Sequence, residues 1–290
     1  AMGAVVMCAR AIVRDLYTPE TGAGVMSKAL TGLGFLACAS APLGGLLTDL
    51  WSWHAALSLV MGFGAIALIL VALTFKETVH RKNPHALQVK VLAKTWWHIV
   101  RHPTFVAFTC VSIGSYGGLF TFLASSSFVF INLLGLARWQ YGLLLFSMAF
   151  TYLLGTVLCR RLLARFGVTQ TVAIGGVFSL VGGGWMALNA WLGGQSVVSL
   201  MGPFYWFILA HGIHQPCGQS GAVGPFPKAA GAASALGGFL MMAAAFITGL
   251  WLGAVQDGSA LPMAQSIAFW SVITALSAWL LVLRRGGPRV

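Results

Sequence analysis

The chain has 290 residues, 58% of them hydrophobic and 8% charged, and its seventeen Lys and Arg against five Asp and Glu give a net charge of +12. Soluble domains average about 45–50% apolar and about 25% charged residues, so this composition excludes a water-soluble fold. What remains is a bilayer-embedded chain whose apolar runs are helices, because barrel strands alternate polar with apolar residues and these runs do not.

In chain order, the first apolar run is a stub from Ala1 to Val13. It falls short of the roughly 30 Å hydrocarbon core at about 1.5 Å per residue. Its arginines, Arg10 and Arg14, stand toward and just past its end, whereas a signal peptide places basic residues first. The chain is therefore expected to begin inside a helix. Eight full spans are expected after the stub, at about 29 to 47, 54 to 75, 105 to 134, 141 to 159, 168 to 193, 197 to 217, 231 to 254 and 262 to 283.

Lys76 to Pro103 is the one long polar connection, and it sets the expected domains: 1–75 as part of an N-terminal bundle, 76–103 as a cytoplasmic linker and 104–290 as a six-helix C-terminal bundle. Within the linker, Val91, Leu92, Trp96 and Ile99 recur at helical spacing beside Lys90 and Lys94. That pattern suits either a helix on the inner membrane surface or a solvated basic segment. A weak echo between Thr18–Gly24 (TPETGAG) and Phe226–Ser234 (FPKAAGAAS) places Pro19 and Pro227 208 residues apart, consistent with two related halves.

Charge placement orients the spans. Sixteen of the seventeen basic residues fall in alternate connections and the C-terminal tail, and Arg138 is the exception. Cytoplasmic loops are enriched in Lys and Arg, so these connections and the C-terminus are expected in the cytoplasm. The positive charge then reflects topology and anionic lipid, with no nucleic-acid partner. Cys8, Cys38, Cys110, Cys159 and Cys217 are odd in number and form no CxxC pair, so they read as small residues at helix contacts, with no metal site expected.

Ala41-Pro42-Leu43-Gly44-Gly45 follows Gly32 and Gly34 in one apolar run. Proline removes a backbone hydrogen bond and the glycines admit a close neighbour, which is packing chemistry as much as function. The run resembles the antiporter motif of drug:proton exchangers of the major facilitator superfamily, with Ala41 at the first glycine position. Further stretches resemble the bicyclomycin-resistance (Bcr/CflA) branch of that superfamily. They are Ala9–Tyr17, Trp51-Ser52-Trp53-His54, Lys76-Glu77-Thr78, Ser126–Phe130 with Ser127 at a proline position, and Pro225–Ser234.

The resemblance implies an all-helical membrane fold of twelve helices in two six-helix bundles, represented here by about eight and a half, from the middle of helix 4 to helix 12. It implies a monomeric exporter of small amphipathic drugs in the bacterial inner membrane. Such an exporter works by alternating access, exchanges drug for protons, and uses the proton gradient in place of any cofactor. A chain without the first helices would not complete that cycle alone. It also implies a gating role for Ala41, Pro42, Gly44 and Gly45. An importer of sugars, peptides or cell-wall fragments, a non-transporting remnant and a membrane-embedded enzyme are the alternatives, and the expectation is that the chain is not an enzyme.

Asp15, Glu20, Asp49, Glu77 and Asp257 are the only carboxylates, and all lie at expected helix ends or in loops. No proton-carrying carboxylate is therefore expected at the midplane of these spans. Arg10, Arg14 and Asp15 form a candidate cytoplasmic charge cluster, with a weak surface ion pair as the plain alternative.

The densest polar set within an apolar span is His211-Gly212-Ile213-His214-Gln215-Pro216-Cys217-Gly218-Gln219. His211 and Gln215 are four apart and share a face. They either line a substrate cavity, with a histidine able to change charge near neutral pH, or hydrogen-bond between helices. Tyr116 and Phe120 share a face in the same way, as an aromatic wall for a drug or as ordinary core residues. The resemblance places an asparagine where Cys217 stands, so no role passes to that position.

Overall fold

The computed structural model describes residues 12, 16, 32, 36, 39–75, 89–194, 196–226 and 229–285. Among these no strand occurs. Residues 39–50 are helical, followed by α1 (Trp53–Thr74), α2 (Val89–Val100), α3 (Pro103–Ser127), α4 (Arg138–Trp191), α5 (Val197–Val223), α6 (Ala230–Val255) and α7 (Leu261–Leu276). A π-helical turn, Phe128–Leu133, extends α3, and a second, Ser277–Val282, joins α7 to a last turn, α8 (Leu283–Arg285). The apolar stub at 1 to 13 lies outside the described residues except for Ile12, and the span expected at 29 to 47 is described only in part.

Six of these helices are long and apolar enough to cross a membrane. One of the six, α4, has 54 residues. At about 1.5 Å per residue that is roughly 80 Å, enough for two crossings of a roughly 30 Å core. The break between them is Gly167, with φ 73° and ψ 177°. A loop expected between about 160 and 167 is thus reduced to one residue: Arg160, Arg161 and Arg165 stay helical, and the chain turns where the absence of a Cβ makes a positive φ inexpensive.

The end of α5 is a second departure. The span expected to stop near 217 continues through Pro216 to Val223. Membrane helices tolerate an internal proline where neighbours pack closely around the freed carbonyl. That carbonyl belongs to Gly212, which sits directly against Gly155 of α4.

The chain divides into two compact units, Ala1–Ala86 with Ala137–Ala149, and Leu87–Leu136 with Phe150–Val290. In the first, α1 has no buried residue, as suits a helix apolar all round in lipid.

In the second unit α3 is the central helix. Lipid is as apolar as leucine, so helices in a bilayer associate through close packing more than through expulsion of water. Small residues on α3 provide that packing. Gly114 lies against Thr274 of α7, Gly117 under the Trp270 ring and Gly118 under Phe207 of α5. On the other side of α5, a Cβ at Gly155 would meet the Leu209 carbonyl oxygen at 2.6 Å, so that seam admits only glycine. Phe122 of α3 stacks on Phe204 of α5 with ring centroids 3.8 Å apart, and Trp279 donates to the Ala173 carbonyl at 3.0 Å, tying the end of α7 to α4.

The basic connection folds as α2 from Val89 to Val100, the segment whose apolar spacing suggested a helix. Ile99 is fully buried in the cluster that holds Phe105, Cys159 and Phe226, and Trp96 packs against the same cluster. Arg101 lies over the Trp97 ring at 4.1 Å. One face of α2 is therefore anchored in protein, which a freely solvated segment would not be.

Candidate functional site

Two places gather the residues singled out in the sequence. The first lies where α3, α4 and α5 meet. Gly118 and Gly155 bring these helices close on either side of α5, and that proximity lets polar side chains reach one another. His211 on α5 is 5% exposed, and its Nδ1 is 2.8 Å from the Ser115 hydroxyl on α3. Tyr152 of α4 places its ring 5.6 Å from the imidazole at an angle of 45°.

One turn on, Gln215 is buried and accepts at its Oε1 from the Gln219 amide at 3.2 Å. His211 and Gln215 thus follow one another along α5, as their spacing of four requires. His214 points elsewhere: fully buried, its Nε2 donates to the Val172 carbonyl at 3.2 Å and its ring rests on Gly175. That bond places a proton on Nε2 and leaves the buried Nδ1 without a described partner.

Sequence reasoning paired His211 with Gln215 and missed Ser115 and Tyr152. Ser115 is one small polar residue among the glycines of α3, and only the fold aligns it with an imidazole 96 residues away. Its neighbour Tyr116 is half-buried and makes no hydrogen bond among the described residues. Phe120, also half-buried, lies against α6, where a Cβ on Gly249 would meet its ring at 3.6 Å.

The second place is in the first unit, where the helical residues 39–50 meet the start of α4. A Cβ on Gly142 would meet the Ala41 carbonyl oxygen at 2.9 Å and Pro42 Cα at 3.2 Å, and one on Gly45 would meet the Arg138 carbonyl oxygen at 3.0 Å. The proline–glycine run is therefore a close helix contact at Ala41, Pro42 and Gly45, whereas Gly44 faces open space. At its end the Asp49 carboxylate accepts the Trp139 N–H at 3.0 Å and stands 3.8 Å from the Arg138 guanidinium. The one basic residue that departs from the charge pattern is thus held by a carboxylate. Arg10, Arg14 and Asp15 lie outside the described residues.

Among the described residues no three His, Cys, Asp or Glu side chains come together as metal ligands. The first place is enclosed and hydrogen-bonded. A hydrogen-bonded imidazole in such a place can take part in binding or in proton movement.

Comparison with known proteins follows the same lines. Residues 1–249 match the family model described as Major Facilitator Superfamily. A bicyclomycin resistance protein homolog of Haemophilus influenzae is 25% identical over 280 residues, covering 96% of this chain and 70% of that protein. Multidrug resistance protein D of Escherichia coli K12 is 28% identical over 234 residues, or 80% of this chain and 57% of that protein. An uncharacterized MFS-type transporter, YdgK of Bacillus subtilis, is 21% identical over 281 residues, covering 96% and 69%.

Proposed function

Because this multi-pass membrane chain belongs to the Major Facilitator Superfamily, we propose that it serves the export of small amphipathic drugs in exchange for protons by alternating access. Two relatives named for bicyclomycin resistance and multidrug resistance support the substrate class. The observation that carries the site is the Ser115–His211 pair, a hydrogen-bonded imidazole between apolar helices with the Tyr152 ring beside it. Polar groups placed within membrane helices mark solute or ion pathways, and histidine is the side chain that changes charge near neutral pH.

In this reading His211 and Gln215 present polar groups to solute, and Tyr116 and Phe120 present aromatic surface. The Ala41-Pro42-Gly44-Gly45 run and the Asp49–Arg138 pair act as a gate, in which Ala41, Pro42, Gly45 and Asp49 hold the start of α4 against residues 39–50. The chain resides in the bacterial inner membrane as a monomer, with its C-terminus in the cytoplasm, the side on which the basic connections lie. The domain scheme of an N-terminal bundle to residue 75, a linker to 103 and a C-terminal bundle beyond belongs to the same proposal.

The test is ethidium accumulation in bacteria that lack their own efflux pumps and express the complete transporter that carries this chain. Export predicts lower accumulation, restored by a protonophore and by His211→Leu. Unchanged accumulation with the protein present in the membrane, or uptake of a labelled sugar or peptide in its place, overturns the proposal.

A further inference from the structure

A cavity of about 470 Å³ opens between α6 and α7, on helices other than those that carry the Ser115–His211 pair. Small-molecule sites run from about 300 to 1,000 Å³ and combine apolar and aromatic walls with a few polar groups. Here the rim is Ile247, Trp251 and Phe269, exposed by 65%, 45% and 58%, and Trp270 forms an inner wall against Gly117 of α3.

The polar groups define the ligand. The Thr248 hydroxyl donates to the Ala244 carbonyl at 2.7 Å and that of Ser266 to the Pro262 carbonyl at 2.8 Å, so neither has a hydrogen left to donate to a guest. Gln265 and the indole N–H groups of Trp251 and Trp270 have no hydrogen-bond partner among the described residues. Trp279, by contrast, donates to a backbone carbonyl. The cavity therefore offers N–H donors from three side chains above aromatic faces, with the Gln265 amide oxygen and the two hydroxyl oxygens as acceptors beside them. No Lys, Arg, Asp or Glu lines it, so an ionised guest would have no counter-charge. Indole and phenyl faces favour flat rings, in offset or edge contact.

We propose that this cavity binds a neutral aromatic molecule that carries a hydrogen-bond acceptor such as a ketone or ether, held by stacking on Trp251 and Trp270 and by donation from Gln265. The cavity is lined by α6 and α7 and not by the Ser115–His211 pair, and binding there does not depend on export.

The test uses benzophenone, a neutral diaryl ketone that inserts into nearby C–H bonds under ultraviolet light. The full chain in lipid nanodiscs is labelled over a concentration series, and its peptides are analysed by mass spectrometry. Saturable labelling is expected on peptides that span 247–251 and 265–270. Loss of the donor in Gln265→Leu is expected to raise the half-saturating concentration about threefold to tenfold. Ile247→Trp, which changes only an exposed rim residue, is expected to close the mouth and abolish saturation.

Non-saturating label spread over all exposed helices would mean that benzophenone only partitions into lipid, and would overturn the proposal. Saturable label indifferent to both variants would do the same. So would a phospholipid that survives detergent exchange at this cavity and is not displaced by benzophenone, because the occupant would then be an acyl chain.

Discussion

Asp49 caps a helix that begins at Arg138: its carboxylate takes the Trp139 N–H at 3.0 Å and faces the Arg138 guanidinium at 3.8 Å. Ala137, the residue before that helix, has no side-chain acceptor, and its own N–H is taken by Gln140 Oε1 at 2.9 Å. The anion favoured at a helix N-terminus therefore comes from a distant helix, which makes one carboxylate both a cap and a link between elements.

Removing that cap in Asp49→Ala is expected to lower stability by about 0.5–2 kcal/mol. Asp49→Asn keeps an acceptor and loses only the ion pair with an arginine that is 58% exposed, a term of about 0.2–1 kcal/mol. Thermal unfolding in detergent should therefore rank wild type above Asn and Asn above Ala. Equal losses in the two variants would assign the effect to charge and not to the cap.

The α4–α5 seam makes a sharper packing prediction. In Gly155→Ala the new Cβ would lie 2.6 Å from the Leu209 carbonyl oxygen and 3.2 Å from Gly212 Cα, so backbone has to move. The expected cost is about 1–3 kcal/mol. Gly238→Ala on α6 meets nothing within 4 Å and should be neutral or stabilise by up to about 1 kcal/mol through helix propensity. A similar loss at both positions, measured by the same unfolding assay, would contradict the close seam.

The spans were legible because a long apolar run reports its solvent without reference to any partner: 54 to 75 was expected and Trp53–Thr74 is found. The turn in α4 was less so, since Arg160 to Phe166 read as a polar loop and only the backbone of Gly167 marks the break. Pairings at long range were out of reach. Arg138 stood out as the basic residue outside the alternate connections and Asp49 was one of five carboxylates at helix ends or in loops, but nothing local joins residues about 90 positions apart. His211 stood out in the same way as a polar residue in an apolar helix, while Ser115 did not. The site was thus half visible, on the side where polarity broke a pattern.

Cys159 and Cys217 meet one turn beyond the glycine seam, with their sulfurs 3.5 Å apart and Cys159 Sγ 3.9 Å from the Ile213 carbonyl oxygen. Both are 2% exposed. Oxidation by copper phenanthroline should form one intramolecular disulfide, with two thiol hydrogens lost as protons and two electrons passed to Cu(II). Intact mass should fall by two hydrogens, and the denatured chain should take up two fewer maleimides. Cys159→Ser should abolish both changes; a loss of maleimide sites that persists in that variant would place the reactive pair elsewhere.

The connection between α6 and α7 has its own pH dependence. The Ser259 hydroxyl donates to Asp257 Oδ1 at 2.7 Å and its N–H donates to the same oxygen at 2.9 Å, holding the carboxyl below the usual carboxylate range. A lowered folded pKa means that the stabilisation is present above the unfolded value of about 3.9 and is lost as pH falls through the folded value. Unfolding temperatures of wild type and Asp257→Asn should therefore separate near neutral pH and converge in acid. Curves that stay parallel throughout would remove Asp257 as the cause.

The Ser115–His211 pair separates a structural role from a transport role. Ser115→Ala leaves the Nδ1 of a residue only 5% exposed without its described partner, at an expected cost of about 1–3 kcal/mol. His211→Leu with Ser115→Ala removes both polar groups, so the double variant should lose less than the sum of the singles, with a coupling of about 0.5–3 kcal/mol. If the pair only holds α3 to α5, recovery of stability in the double variant should bring ethidium export back with it. If the imidazole acts on solute or protons, the double variant should be as stable as Ser115→Ala and still fail to export. That second outcome is expected, because a leucine can fill the space between the helices but can neither accept a hydrogen bond nor change its charge.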